Sequence, residues 1–237
     1  MIYFRIKNYI NRLRREAYLK KQVVRRKTVR MGNSYGGFEV VPEVIDNRKI
    51  VVYSFGIGED LSFSKCILDR FDAEIFAYDP TPKSIEYVHN NEILNNENFH
   101  FCPFGLSDKQ ERVMFFLPQN DDWVSGSSII TKDKKEKGIE VEMRDLISLM
   151  RGNGHDHIDL LKMDIEGSEF KVIDSLACLA SEGGIIPDIK QICVEVHDRY
   201  FTDGYEILTG FISKLKSLGY ELVNVSDTYE ELTFIKP

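Results

Sequence analysis

Nowhere does the sequence hold the ~18 consecutive apolar residues that a membrane-spanning helix needs. It shows no secretory leader, because Arg5 and Lys7 interrupt the short apolar start before an apolar core can form. Cysteine is scarce: Cys66, Cys102, Cys178 and Cys193 lie far apart, with no Cys-x-x-Cys pair. That spacing speaks against a zinc site and a disulfide framework, and fits a reducing cytoplasm. Cys193, in the mostly apolar run 192–196, reads as a core thiol. Internal repeats and low-complexity tracts are missing as well. What remains is 237 residues, 43% of them hydrophobic, enough for one sizeable core in a soluble chain.

The net charge of −7 conceals an asymmetry. Residues 1–30 carry eleven Lys/Arg against one acid, Glu16, whereas the remainder carries 20 Lys/Arg against 37 acids. An acidic body disfavours nucleic acid as a partner, since phosphate contacts need clustered positive charge. Ile6, Ile10, Leu13 and Ala17 form a narrow stripe at helical spacing within the basic segment. The expectation is an appended basic helix over 1–31, free in solution or contacting an anionic membrane surface or a partner subunit. The breaker-rich stretch 31–38 sets the boundary near Gly32, with one domain over 32–237.

From Lys49 onward strands and helices alternate. Strands are expected at 50–55, 74–78, 99–104, 158–163 and 189–196, with helices at 61–71, 84–94, 168–180 and 205–218. Such alternation indicates an α/β, Rossmann-like domain with a mostly parallel sheet. Residues 107–150 break the rhythm. They read as a small β insertion, strands 112–117 and 138–143 around a Gly126-Ser127-Ser128 turn, followed by a short helix at 145–150. Residues 220–225 and 231–235 close the chain as an antiparallel hairpin.

The first expected strand runs into Gly56-Ile57-Gly58, where glycines let the backbone pass close to a ligand. Asp79, ending the next strand, stands where a Rossmann-like fold puts the carboxylate that accepts from ribose hydroxyls. Two features count against a nicotinamide cofactor. The third glycine of the dinucleotide fingerprint is replaced by Leu61, and Glu59 and Asp60 would repel a pyrophosphate at the helix start. A second constellation lies at the ends of later strands. Period two puts Lys162, Asp164 and Glu166 on one side of their strand, and Glu195 and His197 on one side of theirs. Ligands of open α/β sheets sit beyond the carboxyl ends of the strands, so these groups should share a crevice with Gly56 and Asp79. A structural ion pair tying two strands together is an equal reading for Lys162 and Glu195.

Several strings together resemble the FkbM-type methyltransferase family: Ser54-Phe55-Gly56-Ile57-Gly58, Tyr78-Asp79-Pro80-Thr81-Pro82, Phe104-Gly105-Leu106-Ser107-Asp108, Leu161-Lys162-Met163-Asp164-Ile165-Glu166-Gly167-Ser168-Glu169, and Cys193-Val194-Glu195-Val196-His197. The resemblance covers about residues 35–236. It implies a class I methyltransferase fold, S-adenosylmethionine as donor, and O-methylation of a hydroxyl on a small molecule, sugar or glycan. Members commonly carry Asp and Asn where this chain has Ser54 and Gly58, so Glu59 or Asp60 is the expected substitute for the missing charge. A non-catalytic binding module on the same fold is the main alternative, and a nicotinamide-dependent oxidoreductase a weaker one.

On this reading Ser54, Gly56, Gly58 and Asp79 line the cofactor, with Ser107 and Asp108 reaching the adenine amine. Tyr35-Gly36-Gly37-Phe38 folds over the same pocket. His197 is the expected general base, because an unperturbed imidazole is largely neutral at physiological pH. Asp164 orients it or binds the acceptor hydroxyl, and Glu166 holds a neighbouring hydroxyl. A rival arrangement makes Asp164, Glu195 and His197 ligands of a divalent ion.

Overall fold

The computed structural model describes residues 2–45, 48–116 and 138–237. In chain order it contains α1 (Ile2–Gln22), β1 (Val29–Met31), β2 (Phe38–Val40), β3 (Ile50–Phe55), α2 (Ser62–Arg70), β4 (Ala73–Tyr78), α3 (Pro82–His89) and β5 (Phe99–Cys102). There follow β6 (Gly105–Ser107), β7 (Glu111–Phe116), β8 (Gly138–Asp145), α4 (Leu146–Asn153), β9 (His157–Met163) and α5 (Glu169–Ser181). Last come β10 (Asp188–Glu195), α6 (Gly204–Ser217), β11 (Glu221–Val225) and β12 (Glu231–Ile235). The main sheet has the order β11-β12-β10-β9-β3-β4-β5, parallel except for β12, which runs antiparallel to both its neighbours. This is the expected Rossmann-like α/β architecture with a closing hairpin.

The central strand β3 is buried at all six positions, as a parallel strand covered on both faces must be. Its side chains alternate between two cores. Val51, Tyr53 and Phe55 join α5 and α6 through residues such as Ile173 and Phe211. Ile50 and Val52 join Phe63 and Ile67 of α2, with Met31, Phe38 and Val40 of the β1–β2 ribbon. Cys193 is a core thiol, fully buried, and burial pushes it up to about 12.

Differences from the sequence expectation have local causes. α3 starts at Pro82 rather than residue 84, since proline's fixed φ suits the first helical turn. β5 ends at Cys102, where Pro103 offers no N–H for pairing, and the chain leaves the sheet to form β6. The insertion is therefore three-stranded, in the order β6-β8-β7, with β6 parallel to β8. The expected turn at 126–128 and the strand end at Leu117 lie outside the described residues.

The N-terminal helix departs most from expectation. Of the apolar stripe, Leu13 and Ala17 are exposed, whereas Leu19 is fully buried in the larger core, with Tyr18 and Val23 packed beside it. Arg15 makes a two-pronged ion pair with Asp198, at 2.9 and 2.8 Å, and the Tyr18 and Tyr205 rings meet edge to face. Residues 29–31 pair with 38–40, and Met31 is buried, so Gly32 is a turn inside continuous packing rather than a domain boundary. Leu19→Ala should lower unfolding free energy by about 2–5 kcal/mol. Leu13→Ala, exposed, should change it by no more than about 0.5 kcal/mol. Urea denaturation of the two variants measures the difference; equal midpoints would mean the helix does not dock through Leu19.

Candidate functional site

The turn after β3 is built on left-handed backbone at Gly56 (φ 75°) and Gly58 (φ 56°). Asp79, at the end of β4, fixes it. Its Oδ2 accepts from the N–H groups of Ile57 and Gly58, both at 2.9 Å. Its Oδ1 accepts from the Thr81 N–H at 2.8 Å and the Thr81 hydroxyl at 2.6 Å. A carboxylate has about four acceptor positions, and all are used. Asp79 is also 4% exposed, and in this structure its carboxylate shapes the glycine turn. The Pro80-Thr81 turn folds donors onto its other oxygen.

Gly56 has a second function. A Cβ there would sit 1.7 Å from the Asp164 carbonyl oxygen, so only glycine lets the ends of β3 and β9 come this close. The Asp164 N–H donates to Phe55 O at 3.1 Å, and the Lys162 ammonium donates to Gly56 O. Lys162 thus ties the end of its strand to the glycine turn. Ser54 is enclosed within β3, level with Lys162 across the sheet and 1% exposed, and does not face the open crevice. Ser107 is buried in β6, its hydroxyl donating to Asp108 at 3.0 Å.

Asp60 lies in the same glycine turn. Its Oδ1 accepts from the Ser62 N–H at 2.7 Å, while Oδ2 is buried with no hydrogen-bond partner among the described residues. The loop between β1 and β2 lies on it: a Cβ on Gly36 would be 2.6 Å from that oxygen. Asn33 holds the loop by accepting from the N–H groups of Tyr35 and Gly36. Tyr35 is 78% exposed. Its phenol is pushed up by loss of water and then by the charges of Asp164, Glu195, Glu166 and Asp60, which it therefore faces.

Beyond β9 and β10 the second constellation also comes together. Glu169, fully buried in the first turn of α5, accepts from both the backbone N–H (2.7 Å) and the Nδ1 (3.2 Å) of His197, and its other oxygen accepts from the Gly167 N–H at 2.8 Å. His197 Nε2 then faces Glu195 at 3.4 Å, Glu166 at 3.5 Å and Asp164 at 3.7 Å. Glu166 adopts left-handed backbone (φ 54°), a conformation costing about 1–3 kcal/mol for a non-glycine residue, and the Tyr200 hydroxyl donates to its carboxylate. The Tyr200 ring stacks on the His197 imidazole at 5.4 Å.

These contacts favour the charged form of His197, whose imidazole the sequence reading took as a neutral base. Burial alone would push the imidazole down, but the hydrogen bond and charge of Glu169, then Glu166 and Asp164, outweigh it and raise it to about 9. A protonated imidazole has no lone pair to accept a proton. Burial and the nearby Asp164 raise Glu195 to about 7, against the pull of His197 and Arg199. Asp164 is also raised, by loss of water first, with Lys162 and His197 opposing. Sequence reasoning gave no role to Glu169, quoted only within the family-like string, nor to Tyr200, which no pattern marked.

Comparison with known proteins assigns this arrangement to a family. The family model described as "Methyltransferase FkbM domain" matches residues 22–222. Among curated proteins the chain is similar to the human "Probable methyltransferase-like protein 24", 24% identical over 179 residues, covering 76% of this chain and 40% of that one. The rat protein of the same name is 21% identical over 196 residues, covering 80% and 46%. The chain thus spans less than half the length of these relatives. Solved structures similar to it include a Methanococcus jannaschii fibrillarin pre-rRNA processing protein (14% identity, TM-score 0.46, covering 83% of this chain and 69% of that one). The METTL16 MTase domain is similar at 10% identity and TM-score 0.46, covering 83% and 65%. Because the family model runs from the end of α1 into β11, through the glycine turn and the acid cluster alike, the chain belongs to the FkbM methyltransferase family.

Proposed function

We propose that this domain transfers a methyl group from S-adenosylmethionine to a hydroxyl of a sugar or glycan. The observation that carries the reading is the meeting of the glycine turn with the Asp164 segment at the carboxyl ends of β3 and β9. The strand order reverses there, with β4 and β5 on one side and β9 and β10 on the other, and open α/β sheets bind ligands at such a point.

The residues present fit the cofactor. Its amino group is a cation, and Asp60 Oδ2 is a buried oxygen without a partner among the described residues, beside the turn. Gly56 and Gly58 let the backbone lie close to the cofactor's amino-acid end, and the Ser107-Asp108 side of the crevice takes its adenine. Glu59 and Asp60 would repel a pyrophosphate, which again disfavours a nicotinamide cofactor. When bound, the donor would supply a methyl carbon on a positively charged sulfur, which an acceptor oxygen could displace with a neutral thioether as the leaving group. Asp164, the most open of the three carboxylates facing Nε2, accepts the acceptor's hydroxyl hydrogen as the carbon–oxygen bond forms. Glu166 and Glu195 hold neighbouring hydroxyls, and Tyr35 covers the sugar face. Placing the acceptor oxygen in line accounts for most of the catalysis.

Incubation with radiolabelled S-adenosylmethionine and a panel of sugars and glycans tests the reading; label on amines or carboxylates alone would overturn the hydroxyl assignment. Asp60→Asn should weaken S-adenosylmethionine binding by about 1.5–3 kcal/mol, the loss of a charge-assisted hydrogen bond. Unchanged affinity by calorimetry would remove Asp60 from the cofactor site. Asp79→Ala should lower both cofactor affinity and stability, the latter by about 1–3 kcal/mol, because the Ile57 and Gly58 N–H groups lose their acceptor. A role at the ribose alone predicts an unchanged unfolding midpoint. Asp164→Asn should reduce turnover by about 10²–10⁴-fold while leaving cofactor affinity intact.

A further inference from the structure

We propose that Asp164, Glu195 and His197 hold a divalent cation at the mouth of the crevice. One oxygen or nitrogen from each of the three lies within 4.8 Å of the others. Neighbouring ligands of a small octahedral cation stand about 3 Å apart, given metal–ligand distances near 2.1 Å. The Nε2 to Glu195 and Nε2 to Asp164 separations of 3.4 and 3.7 Å need only a small contraction to reach that value. One imidazole with two carboxylates suits first-row divalent ions such as manganese.

The acids alone would not define a site. The independent observation is His197 itself. Its side chain is 1% exposed, and Nε2 is aimed into the carboxylates, yet each of these oxygens lies beyond the usual N–H···O length of about 2.7–3.2 Å. Nδ1 is already committed to the buried carboxylate of Glu169. A ligating histidine nearly always donates its other ring N–H to a carboxylate or carbonyl, which fixes its orientation and raises its basicity. Glu169 does this, and by accepting the His197 backbone N–H it anchors the ring at two points. Tyr200 stacks on the other side of the imidazole. Asp164 is divided between two cations: Oδ1 faces Nε2, while Oδ2 lies 3.9 Å from the Lys162 ammonium. Cation binding displaces the Nε2 proton to solvent, because only the neutral ring ligates. The purpose of the ion rests on the methyltransferase reading, since a cation next to the acceptor oxygen would make its hydroxyl more acidic; its binding rests on the geometry alone.

The test is a titration of Mn²⁺ into the chelator-stripped, full-length chain without S-adenosylmethionine, followed by calorimetry and by the electron paramagnetic resonance of free Mn²⁺. One saturable site per chain is expected. Asp164→Asn, Glu195→Gln and His197→Asn should each raise the dissociation constant, and Glu169→Gln, which holds His197 and the Gly167 N–H without facing the cation, should raise it by about 10–100-fold. Glu74→Gln, at the separate acid–histidine pair with His100, should leave it unchanged. Absence of a saturable site in the folded wild type would overturn the proposal, as would affinity indifferent to the first three substitutions. A parallel S-adenosylmethionine titration of the same sample separates the two ideas. Cofactor binding without a Mn²⁺ site overturns only the cation. Mn²⁺ binding without cofactor binding overturns the methyltransferase reading and leaves the metal site standing.

Discussion

Two neighbouring parallel strands end against each other in this protein, and the rest of the crevice depends on that contact. The backbone of Gly56 lies so close to the Asp164 carbonyl that no side chain fits between them. Lys162 ties the same carbonyl-rich junction together by donating to Gly56 O, and Asp164 N–H donates to Phe55 O. Asp79 then holds the outer part of the turn through two N–H groups. The glycine turn and the acid cluster are thus joined by backbone contacts, and the acidic side chains around His197 are mounted on that junction. Rigid mounting is what positional catalysis requires, since small displacements of reacting atoms are costly.

Charge is distributed around that junction with unusual density. Asp164, Glu166, Glu169 and Glu195 converge on His197, while Lys162 and Arg199 stand at the edges. Burial and then the like charge of Asp164 bring Glu195 to about 7, while the carboxylates, Glu169 foremost, hold His197 at about 9 against the cost of its burial. The backbone strain at Glu166 belongs to the same picture. A left-handed non-glycine residue persists only where its surroundings over-determine it, and here Tyr200 and the Gly167–Glu169 bond do so.

Much of this was legible in the sequence because it is local. The glycine turn, the strand ends carrying Asp164 and His197, and the closing hairpin each follow from a contiguous pattern of period two or of turn residues. Three things were not. The β1–β2 ribbon has strands of only three residues, too short to show alternation. The docking face of α1 includes Arg15, whose partner is 183 residues away, so a search for apolar spacing selected Leu13 and Ala17 instead. The charge on His197 and the saturation of Asp79 depend on which donors and acceptors other segments bring, which no local pattern records.

The Arg15–Asp198 ion pair carries an implication for how this domain is delimited. Asp198 follows His197 directly and opens the short 3-10 turn that ends at Tyr200, the residue holding Glu166. Arg15 therefore braces the wall of the crevice from outside, yet it lies upstream of residue 22, where the family's shared sequence begins. A fragment cut at that edge would keep the glycine turn and the acid cluster and lose the strut behind Asp198. For this chain, the stretch that the family model matches and the stretch that braces the crevice are different lengths.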